Sequence, residues 1–362
     1  MPERKRKKYL FAAVYSLVVA AFTAYVMLDT FVLEKVEQVD ATAQNTSMFD
    51  DIEVKKLSTD DADSTTGASP SDDSSQTEKS STRPSKGKHS RSKQTEQTSS
   101  SQTDNDTSSQ SETSGTSNGS VGSYGDENIA VTINEYTENG TKIYVADVRL
   151  SSAQYLKTAF ANGSYGKNVK ATTSDTAEEN NAILAINGDY YGARETGYVI
   201  RNGIAYRDTA DSDSEILCIY ADGHFDIITP DEADADELVD AGVWQAFTFG
   251  PGLVDNNEIT VTQGQEVDQA MASNPRTAIG QIDELHYVFV VSDGRTSESS
   301  GLSLYQLAEF MKGLGCTTAY NLDGGGSSTM YFDGEVINTP TGGGRGNTTS
   351  ERRVSDIVYL GY

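Results

Sequence analysis

The distribution of large apolar residues decides which part of this chain can fold. From about Glu34 to Ser123 the chain consists mainly of Ser, Thr, Asp, Gln and Lys, with almost no large apolar residue after Leu57. Such a segment buries too little surface to offset the entropy of ordering it, so residues 32–123 are predicted to be a disordered linker. As a flexible coil it would span about 50 Å, and a glycosylated stalk with the same role of reach is the alternative. Residues 124–362, about 240 in number, are enough for one sizeable domain.

The N-terminus has the pattern of a membrane anchor. A basic cluster at residues 4–8 precedes a stretch without charge from Tyr9 to Leu28. About 20 apolar residues cross a hydrocarbon core as a helix, and a basic flank stays in the cytoplasm. We predict a cytoplasmic tail at 1–8, a transmembrane signal anchor at 9–31 and an extracellular C-terminal domain of a single-pass protein in the cell membrane. A cleaved signal peptide is disfavoured because cleavage after Ala24 would place Phe22 where a small residue is needed.

The charge of the domain excludes one class of partner. Residues 124–362 contain 14 Lys and Arg against 36 Asp and Glu, a net charge of −22 out of −26 for the whole chain. Binding of nucleic acid requires basic residues that neutralise phosphates, so no nucleic acid is expected as a partner. An anionic substrate would need a local group of arginines. The two cysteines, Cys218 and Cys316, are equally compatible with one disulfide and with two buried thiols.

Hydrophobic periodicity predicts an α+β fold, a single domain with a mixed β-sheet and a few helices. Helices are expected from Ser151 and Ser152 through Phe160, over 231–241, and over 304–314 with a capping box at Ser303 and Gln306. The segment 286–322 is typical of a strand–helix–strand crossover unit. Strands are predicted at 129–133, 142–150, 182–186, 216–220, 225–228, 247–249, 277–282, 286–291, 317–322, 330–332 and 357–360.

The most informative motif is Asn321-Leu-Asp-Gly-Gly-Gly-Ser-Ser-Thr-Met330. A predicted strand ends at Asp323, and three glycines then allow a ligand or another backbone to approach closely. Three hydroxyl residues follow. A carboxylate at a strand end, beside an open backbone and a row of donors, is typical of a glycan or phosphate site.

Four further motifs accompany it in order: Ala185-Ile-Asn-Gly-Asp-Tyr-Tyr191, Asn274-Pro-Arg-Thr-Ala278, Asp293-Gly-Arg295 and Glu351-Arg-Arg-Val-Ser-Asp356. Together the five motifs resemble the phosphodiester glycosidase family, over about 128–362. The chain departs from the family pattern at Arg353, where proline is frequent, and at Tyr190, where phenylalanine is frequent. Neither departure removes a charged group. Ligands of open sheets lie beyond the carboxyl ends of strands, where these polar residues are predicted to converge.

The resemblance implies a hydrolase that cleaves a sugar-1-phosphodiester bond in a cell-surface glycan, an exopolysaccharide or a sugar-phosphate polymer. A phosphodiester leaving group is already a stable anion, so cations that stabilise it matter more than a general acid. Asp323 and Asp189 are the predicted catalytic carboxylates. The predicted substrate-binding residues are Asn187, Gly188, Tyr190, Arg276, Thr277, Asp293, Arg295, Asn321, Gly324, Gly325, Gly326, Ser327, Ser328, Thr329 and Arg352.

Two other functions stay open at this point. The same cleft would serve a non-catalytic glycan-binding adaptor of the cell envelope, which needs no pair of carboxylates. Alternatively, Asp189, Asp293 and Asp323 would gather a divalent cation for a metal-assisted phosphodiesterase. Apart from this alternative, no cofactor and no metal site are predicted, and no His or Cys cluster suggests one.

Overall fold

The computed structural model describes residues 3–37, 45–50, 52, 54, 56–57, 116–267, 273–342 and 349–362. In this part of the chain the α-helices are α1 Glu3–Phe31, α2 Thr173–Glu179, α3 Ala235–Asp240 and α4 Leu304–Gly313. The strands, in chain order, are β1 Lys35–Val36, β2 Thr116–Gly125, β3 Ile129–Glu138, β4 Thr141–Leu150, β5 Leu156–Phe160, β6 Gly166–Lys167, β7 Leu184–Asn187, β8 Val199–Arg201, β9 Ile204–Arg207, β10 Ile216–Tyr220, β11 Phe225–Ile228, β12 Val243–Phe247, β13 Gly252–Asp255, β14 Glu258–Ile259, β15 Arg276–Asp283, β16 His286–Ser292, β17 Thr318–Leu322, β18 Met330–Phe332, β19 Glu335–Val336 and β20 Asp356–Leu360.

Eight strands form the large sheet, in the order β14-β13-β17-β15-β16-β4-β3-β2. Its neighbouring strands are antiparallel. Along β16, Tyr287 and Phe289 belong to one hydrophobic cluster, whereas Val288 and Val290 belong to another on the opposite face. Side chains of a strand alternate between its two faces, so a run that is apolar throughout is buried on both. Helix α4 covers the second cluster.

Two five-stranded sheets pack against the other face. We call the sheet with the order β19-β18-β7-β20-β5 the second sheet, and the sheet with the order β11-β10-β12-β8-β9 the third sheet. Leu184 of β7 and Leu217 of β10 lie in the same hydrophobic cluster as Phe289 of β16. The main core is therefore shared by all three sheets, and the strand ends of different sheets meet at its rim.

The predicted α+β class, with few helices, is confirmed. The predicted helix at 304–314 is α4, and its capping box is present: Gln306 N–H donates to Ser303 Oγ at 3.1 Å, and Ser303 N–H donates to Gln306 Oε1 at 3.0 Å. Strands β16 and β17 of the predicted crossover unit are both present. They are not neighbours, because β15 lies between them and pairs with each.

The predicted helix that starts at Ser151 and Ser152 is wrong. Ser152 caps only a single 3₁₀ turn, and the chain continues as β5, which pairs with β20 along its whole length. A partner strand supplied by the distant C-terminus thus overrides a local helix signal. The helix predicted at 231–241 is shortened to α3, where Asp234 and Glu237 form a capping box. The strand predicted at 247–249 overlaps β12 only at Phe247, the last residue of that strand.

The structure shortens the predicted linker at both ends. At its start, β1 pairs with β6, and Phe49 is buried in a small cluster with Trp244. At its end, β2 begins at Thr116 and pairs with β3 as the edge strand of the large sheet. Predicted disorder in 58–115 lies outside the described residues.

Strand β2 covers the backbone edge of β3, so its removal is expected to destabilise the domain. An uncovered edge presents unpaired N–H and C=O groups that also promote association. We expect a chain that starts at Asp126 to unfold at a lower temperature than one that starts at Thr116. A loss of about 1 kcal/mol corresponds to about 2–4 °C for a domain of this size. Thermal denaturation, with sedimentation to detect association, measures the difference. Equal melting temperatures and equal monomer content would contradict this role of β2.

Candidate active site

One buried asparagine joins the strand ends beneath the site. Asn187, at the end of β7, donates from Nδ2 to the backbone oxygen of Asp323 at 2.6 Å. Its Oδ1 accepts from Thr277 Oγ1 at 2.9 Å and from Thr329 N at 3.2 Å. Asn187 therefore connects the second sheet to β15 and to the end of β17 in the large sheet. These contacts hold the backbone of Asp323 in place.

The three glycines after Asp323 are required by close packing of the backbone. A side chain at Gly324 would place its Cβ 2.9 Å from the carbonyl oxygen of Pro275, and one at Gly326 would place its Cβ 2.8 Å from Gly342 Cα. Gly325 has a φ of +62°, and its N–H donates to the Pro275 oxygen at 2.8 Å. Glycine accepts this left-handed conformation without a steric penalty. The turn is thus packed tightly against the start of β15.

Asp323 is held by a compact hydrogen-bonded group. Its Oδ2 accepts from Ser327 Oγ at 2.7 Å and from Arg352 Nη2 at 2.7 Å. Arg352 Nε also donates to Ser327 Oγ at 2.7 Å, and its Nη2 donates to Gly324 O at 3.2 Å. No described residue donates to Asp323 Oδ1. Burial raises the pKa of Asp323 above its usual value, while Arg352 opposes that rise.

A cavity of ≈ 250 Å³ opens above Asp323. Its walls contain four arginines but a single carboxylate, although the domain as a whole is strongly acidic. The other lining residues are apolar, aromatic or amide side chains and the glycine backbone. The full lining is Tyr190, Arg194, Phe249, Val267, Asn274, Arg276, Arg295, Asn321, Leu322, Asp323, Gly324, Gly325 and Arg352. We call this cavity the cleft.

The arginines of the cleft differ in how firmly they are held. Arg276 is almost buried; its Nη2 contacts Glu266 Oε2 at 2.6 Å, and its Nε donates to Leu302 O at 2.9 Å. Burial lowers the pKa of Arg276, and Glu266 opposes that change. Arg295 is exposed and donates from Nη2 to Asn274 Oδ1 at 2.6 Å. The side chain of Arg352 is 41% exposed. The side chains of the last two therefore keep part of their surface accessible to solvent, whereas that of Arg276 does not.

Aromatic rings complete the walls. Tyr190 is 38% exposed, an unusual value for a large ring in this domain, and Arg352 Cζ lies 5.9 Å from its centroid. Arg194 Cζ lies 5.2 Å from the centroid of Phe249. Exposed aromatic faces beside cations form platforms suited to a sugar ring next to a charged group. The amide of Asn321 donates to Gly250 O at 2.8 Å, and its buried Oδ1 has no hydrogen-bond partner among the described residues.

Asp189 lies beneath the cleft in a fully buried ion-pair group. Arg201 Nη2 lies 3.0 Å from Asp189 Oδ2 and 2.8 Å from Asp356 Oδ2, and Arg201 Nε donates to Asp356 Oδ2 at 2.8 Å. Asp189 Oδ1 also accepts from the N–H of Tyr191 at 2.9 Å. One guanidinium is thus shared by two carboxylates. Burial raises the pKa of Asp356 to about 7; Arg201 opposes that rise and Asp189 adds to it.

The structure separates the predicted site residues into two sets. The cleft is lined by Tyr190, Arg276, Arg295, Asn321, Asp323, Gly324, Gly325 and Arg352. The other predicted residues lie outside its lining, although most support it from below. These are Asn187, Gly188, Asp189, Thr277, Asp293, Gly326, Ser327, Ser328 and Thr329. Gly188 is constrained by the buried carboxylates, because a Cβ there would lie 2.4 Å from Asp356 Oδ1.

Asp293 is directed away from the cleft. Its Oδ1 accepts from the N–H of Thr339 at 2.8 Å and from Asn338 Nδ2 at 3.2 Å. Asp189, Asp293 and Asp323 therefore have separate partners and do not gather around one point. In the part of the chain that the structure describes, no three His, Cys, Asp or Glu residues form a group suited to a metal ion. The metal-assisted phosphodiesterase required these three aspartates to bind one cation, and their positions do not allow this.

Several residues of the site were not singled out by sequence reasoning. Arg201 is a lone arginine in an apolar strand, and Arg194 and Phe249 lie outside every motif, so no pattern identified them. Asn274 and Asp356 stand inside two of the motifs but had no assigned role. The two cysteines are free and buried in different clusters, so no disulfide joins them.

Comparison with known proteins agrees with the motifs. The sequence profile of the phosphodiester glycosidase family matches residues 180–360, half of the chain. An SPbeta prophage-derived uncharacterized protein, YomE, of Bacillus subtilis is 30% identical over 205 residues, which are 55% of this chain and 31% of that protein. The N-acetylglucosamine-1-phosphodiester alpha-N-acetylglucosaminidase of Mus musculus is 26% identical over 208 residues, which are 53% of this chain and 40% of that protein. The chain thus spans less than half the length of these two relatives.

A solved structure has the same fold. It is the catalytic domain of the zebrafish N-acetylglucosamine-1-phosphodiester alpha-N-acetylglucosaminidase, auto-inhibited by its pro-peptide. The TM-score is 0.52 at 20% sequence identity, and the match covers 65% of this chain and 83% of that one. At this identity the likeness establishes the fold alone.

The raised pKa of the buried Asp356 carboxyl predicts a pH dependence of stability. The folded-state pKa of Asp356 is raised above its unfolded value, so the folded protein binds more protons between about pH 4 and about pH 7. The free energy of unfolding is therefore expected to fall as the pH rises through this range, by up to about 1.4 kcal/mol per pH unit for one proton. Asp356→Asn keeps the shape and removes this titration. Urea denaturation at pH 5 and pH 8 should show a smaller decrease for the variant, and parallel decreases would contradict the assignment.

Proposed function

The chain belongs to the phosphodiester glycosidase family, and we propose that it is an extracytoplasmic hydrolase that cleaves a sugar-1-phosphodiester bond in a cell-surface glycan or exopolysaccharide. One observation carries this proposal. Four of the 14 cationic residues of a domain with a net charge of −22 line one small cleft, which contains one carboxylate. Such a local reversal of charge fits an anionic substrate. Exposed charges elsewhere on the domain are screened beyond about 8 Å at physiological salt.

The reaction itself explains this arrangement. Cleavage at the anomeric carbon develops positive charge on the sugar while the phosphate leaves as an anion. A stable leaving anion needs fixed cations more than it needs a proton. Guanidinium groups hold phosphate oxygens through two parallel hydrogen bonds. In this proposal Arg295 and Arg352 bind the departing phosphate at the mouth of the cleft. Arg276, held by Glu266, adds fixed positive charge deeper inside.

Asp323 is the proposed catalytic carboxylate. It is the carboxylate that lines the cleft, and its Oδ2 is occupied by Ser327 and Arg352. Oδ1 is therefore the oxygen directed to the substrate, either as nucleophile toward the anomeric carbon or as general base toward water. The ring of Tyr190 supplies a platform for the sugar, and Asn321 forms part of the wall of the same cleft. Gly324 and Gly325 let the substrate approach the backbone.

Asp189 acts on Asp323 indirectly in this proposal. Its carboxylate is committed to Arg201, so it does not touch the substrate. Its negative charge nevertheless raises the pKa of Asp323, after the larger effect of burial. Asn187 also acts indirectly: its side chain accepts a hydrogen bond from Thr277 and donates one to the backbone oxygen of Asp323, which holds that backbone in position. These residues set the geometry and charge of the catalytic carboxylate rather than binding the glycan.

The N-terminal helix suits a membrane anchor. Within α1, Leu10–Phe31 has a mean hydropathy of 2.0, and its large apolar side chains are exposed. Its 22 residues span about 33 Å as a helix, enough for the hydrocarbon core of a bilayer. With the basic cluster at residues 4–8 on the cytoplasmic side, the domain lies outside the cell.

The test of the catalytic role replaces Asp323 with asparagine, which keeps the shape but removes the charge. We expect Asp323→Asn to lower turnover of a synthetic sugar-1-phosphodiester by about 10²–10⁴-fold. Release of free sugar measures the rate. The matched control is Asp293→Asn, which changes a buried aspartate beyond another strand end outside the cleft and should retain activity. Turnover by Asp323→Asn at the wild-type rate would refute the assignment. If wild type bound glycan tightly and neither it nor the variants released product, the result would instead support the non-catalytic adaptor.

The role of the forked guanidinium is tested by Arg352→Lys. Lysine keeps the charge, but it cannot contact Asp323, Ser327 and Gly324 while also reaching a phosphate. We expect kcat/KM to fall by at least about tenfold, which equals about 1.4 kcal/mol. The neighbouring Arg353 is exposed and outside the cleft, so Arg353→Lys serves as control. Equal kcat/KM values for the two variants would show that the guanidinium of Arg352 has no special role.

A further inference from the structure

The residues that follow the membrane helix are bound along the side of the domain. We call their described part the strap: residues 30–37, 45–50 and 56–57. Asn168 Nδ2 donates to Thr30 O at 3.1 Å and to Leu33 O at 3.2 Å, at the end of α1. The contact leaves no spacer between the helix and the domain, because Thr30 is itself part of the helix.

The next contact is a short antiparallel ladder. Strand β1 pairs with β6, and the N–H of Glu37 donates to Tyr165 O at 3.0 Å. The absence of a side chain at Gly166 permits this approach. A Cβ at Gly166 would lie 2.1 Å from the carbonyl oxygen of Lys35, a backbone atom that cannot rotate away.

The strap continues across the third sheet. Phe49 is buried edge-on against Trp244, with ring centroids 4.9 Å apart. The N–H of Asn45 donates to Asn202 O at 3.1 Å. Further on, the N–H of Leu57 donates to Glu127 O at 3.0 Å. The strap is therefore attached to the domain in each of its three described segments.

These contacts determine whether the polar segment 58–115 can separate the domain from the membrane helix. Leu57, before the segment 58–115, is bound beside β3, and Thr116, after it, pairs with Thr137 of the same strand. Both flanks of the segment thus lie on the domain. Its length does not add to the distance between the domain and the membrane helix.

The cleft lies close to the strap. A second cavity, of ≈ 210 Å³, is lined by Glu37 of the strap, by Gly166 and Lys167 of β6, and by Arg194. Arg194 also lines the cleft. From Phe31, the last residue of α1, to Lys35 the chain spans at most about 14 Å, since an extended residue covers about 3.3–3.6 Å. A short stretch of chain and one cavity therefore separate the end of the membrane helix from the cleft.

We propose that the strap holds the cleft beside the membrane surface, and that the substrate class is a sugar phosphodiester carried on a lipid of that surface. The substrate part of this inference rests on the proposed hydrolase function. A site held at the bilayer meets lipid-attached substrate at a high effective concentration. Polymer located tens of ångströms away would be out of its reach.

The placement is tested by energy transfer in vesicles that contain the full-length protein. Glu195→Cys puts a dye beside the second cavity, on a side chain that is 78% exposed. The native cysteines are buried and do not compete for the label. We expect strong transfer to a headgroup dye, and weaker transfer when Gly166→Ala or Phe49→Ser is added to detach the strap. Gly163→Ala is the control for the backbone strain of alanine at a glycine of positive φ, which is +61° there, because its Cβ meets no atom within 4 Å and so does not touch the strap. Weak transfer in every variant, or equal transfer in all of them, would overturn the placement.

The substrate class is tested with one sugar-1-phosphodiester in two forms, free in solution and attached to a lipid of the same vesicles. We expect Gly166→Ala and Phe49→Ser to lose at least about tenfold in turnover of the lipid-attached form, while turnover of the soluble form changes less than about twofold. Equal effects on the two forms would refute the substrate class. Absence of turnover of either form by wild type would refute the hydrolase function, and the energy-transfer result would then decide the placement alone.

Discussion

The site depends on a buried arginine that two carboxylates share. Arg201, on β8 of the third sheet, lies between Asp189 and Asp356, both of which belong to the second sheet or follow directly from it. A buried charge needs a partner of opposite sign, and removal of one partner from such a group costs about 3–5 kcal/mol. The interaction therefore fixes how two sheets meet. It also holds Asp189 near Asp323, whose pKa is raised mainly by burial and in smaller part by the charge of Asp189.

Asn187 makes the corresponding connection to the large sheet. Its amide satisfies the backbone of Asp323 and the hydroxyl of Thr277, so the strand ends of two sheets share one set of hydrogen bonds. Buried amides with several partners are rigid, since the loss of any partner leaves a polar group unsatisfied. The catalytic carboxylate proposed here thus sits on a backbone that cannot shift independently. Only its side chain, with Arg352 and Ser327, faces the cleft.

Local pattern predicted the interior of the domain well where the pattern and the packing agree. The central strands are apolar on both faces, and α4 carries an apolar stripe with a capping box, so each was recognisable without knowledge of its neighbours. The segment Leu156–Phe160 was misread because its partner, β20, lies 200 residues away in the sequence. The strap was missed because its contacts are few and scattered. Phe49 is a single apolar residue in a polar segment, and its contact with the distant Trp244 leaves no signal in composition or periodicity.

By itself, the sequence determined the division of the chain into an apolar helix, a polar segment and one acidic domain, because hydropathy and charge are properties of composition. It also determined the five motifs, and with them Asp323, Arg276, Arg295 and Arg352 as members of one site. Only the tertiary structure decided that Asp323 lines the cleft while Asp189 is buried with Arg201, and that Asp293 turns away. It also decided that the strap binds beside the cleft. The physical reason is that burial and ion pairing depend on which side chains other sheets supply, and such neighbours are set by long-range packing.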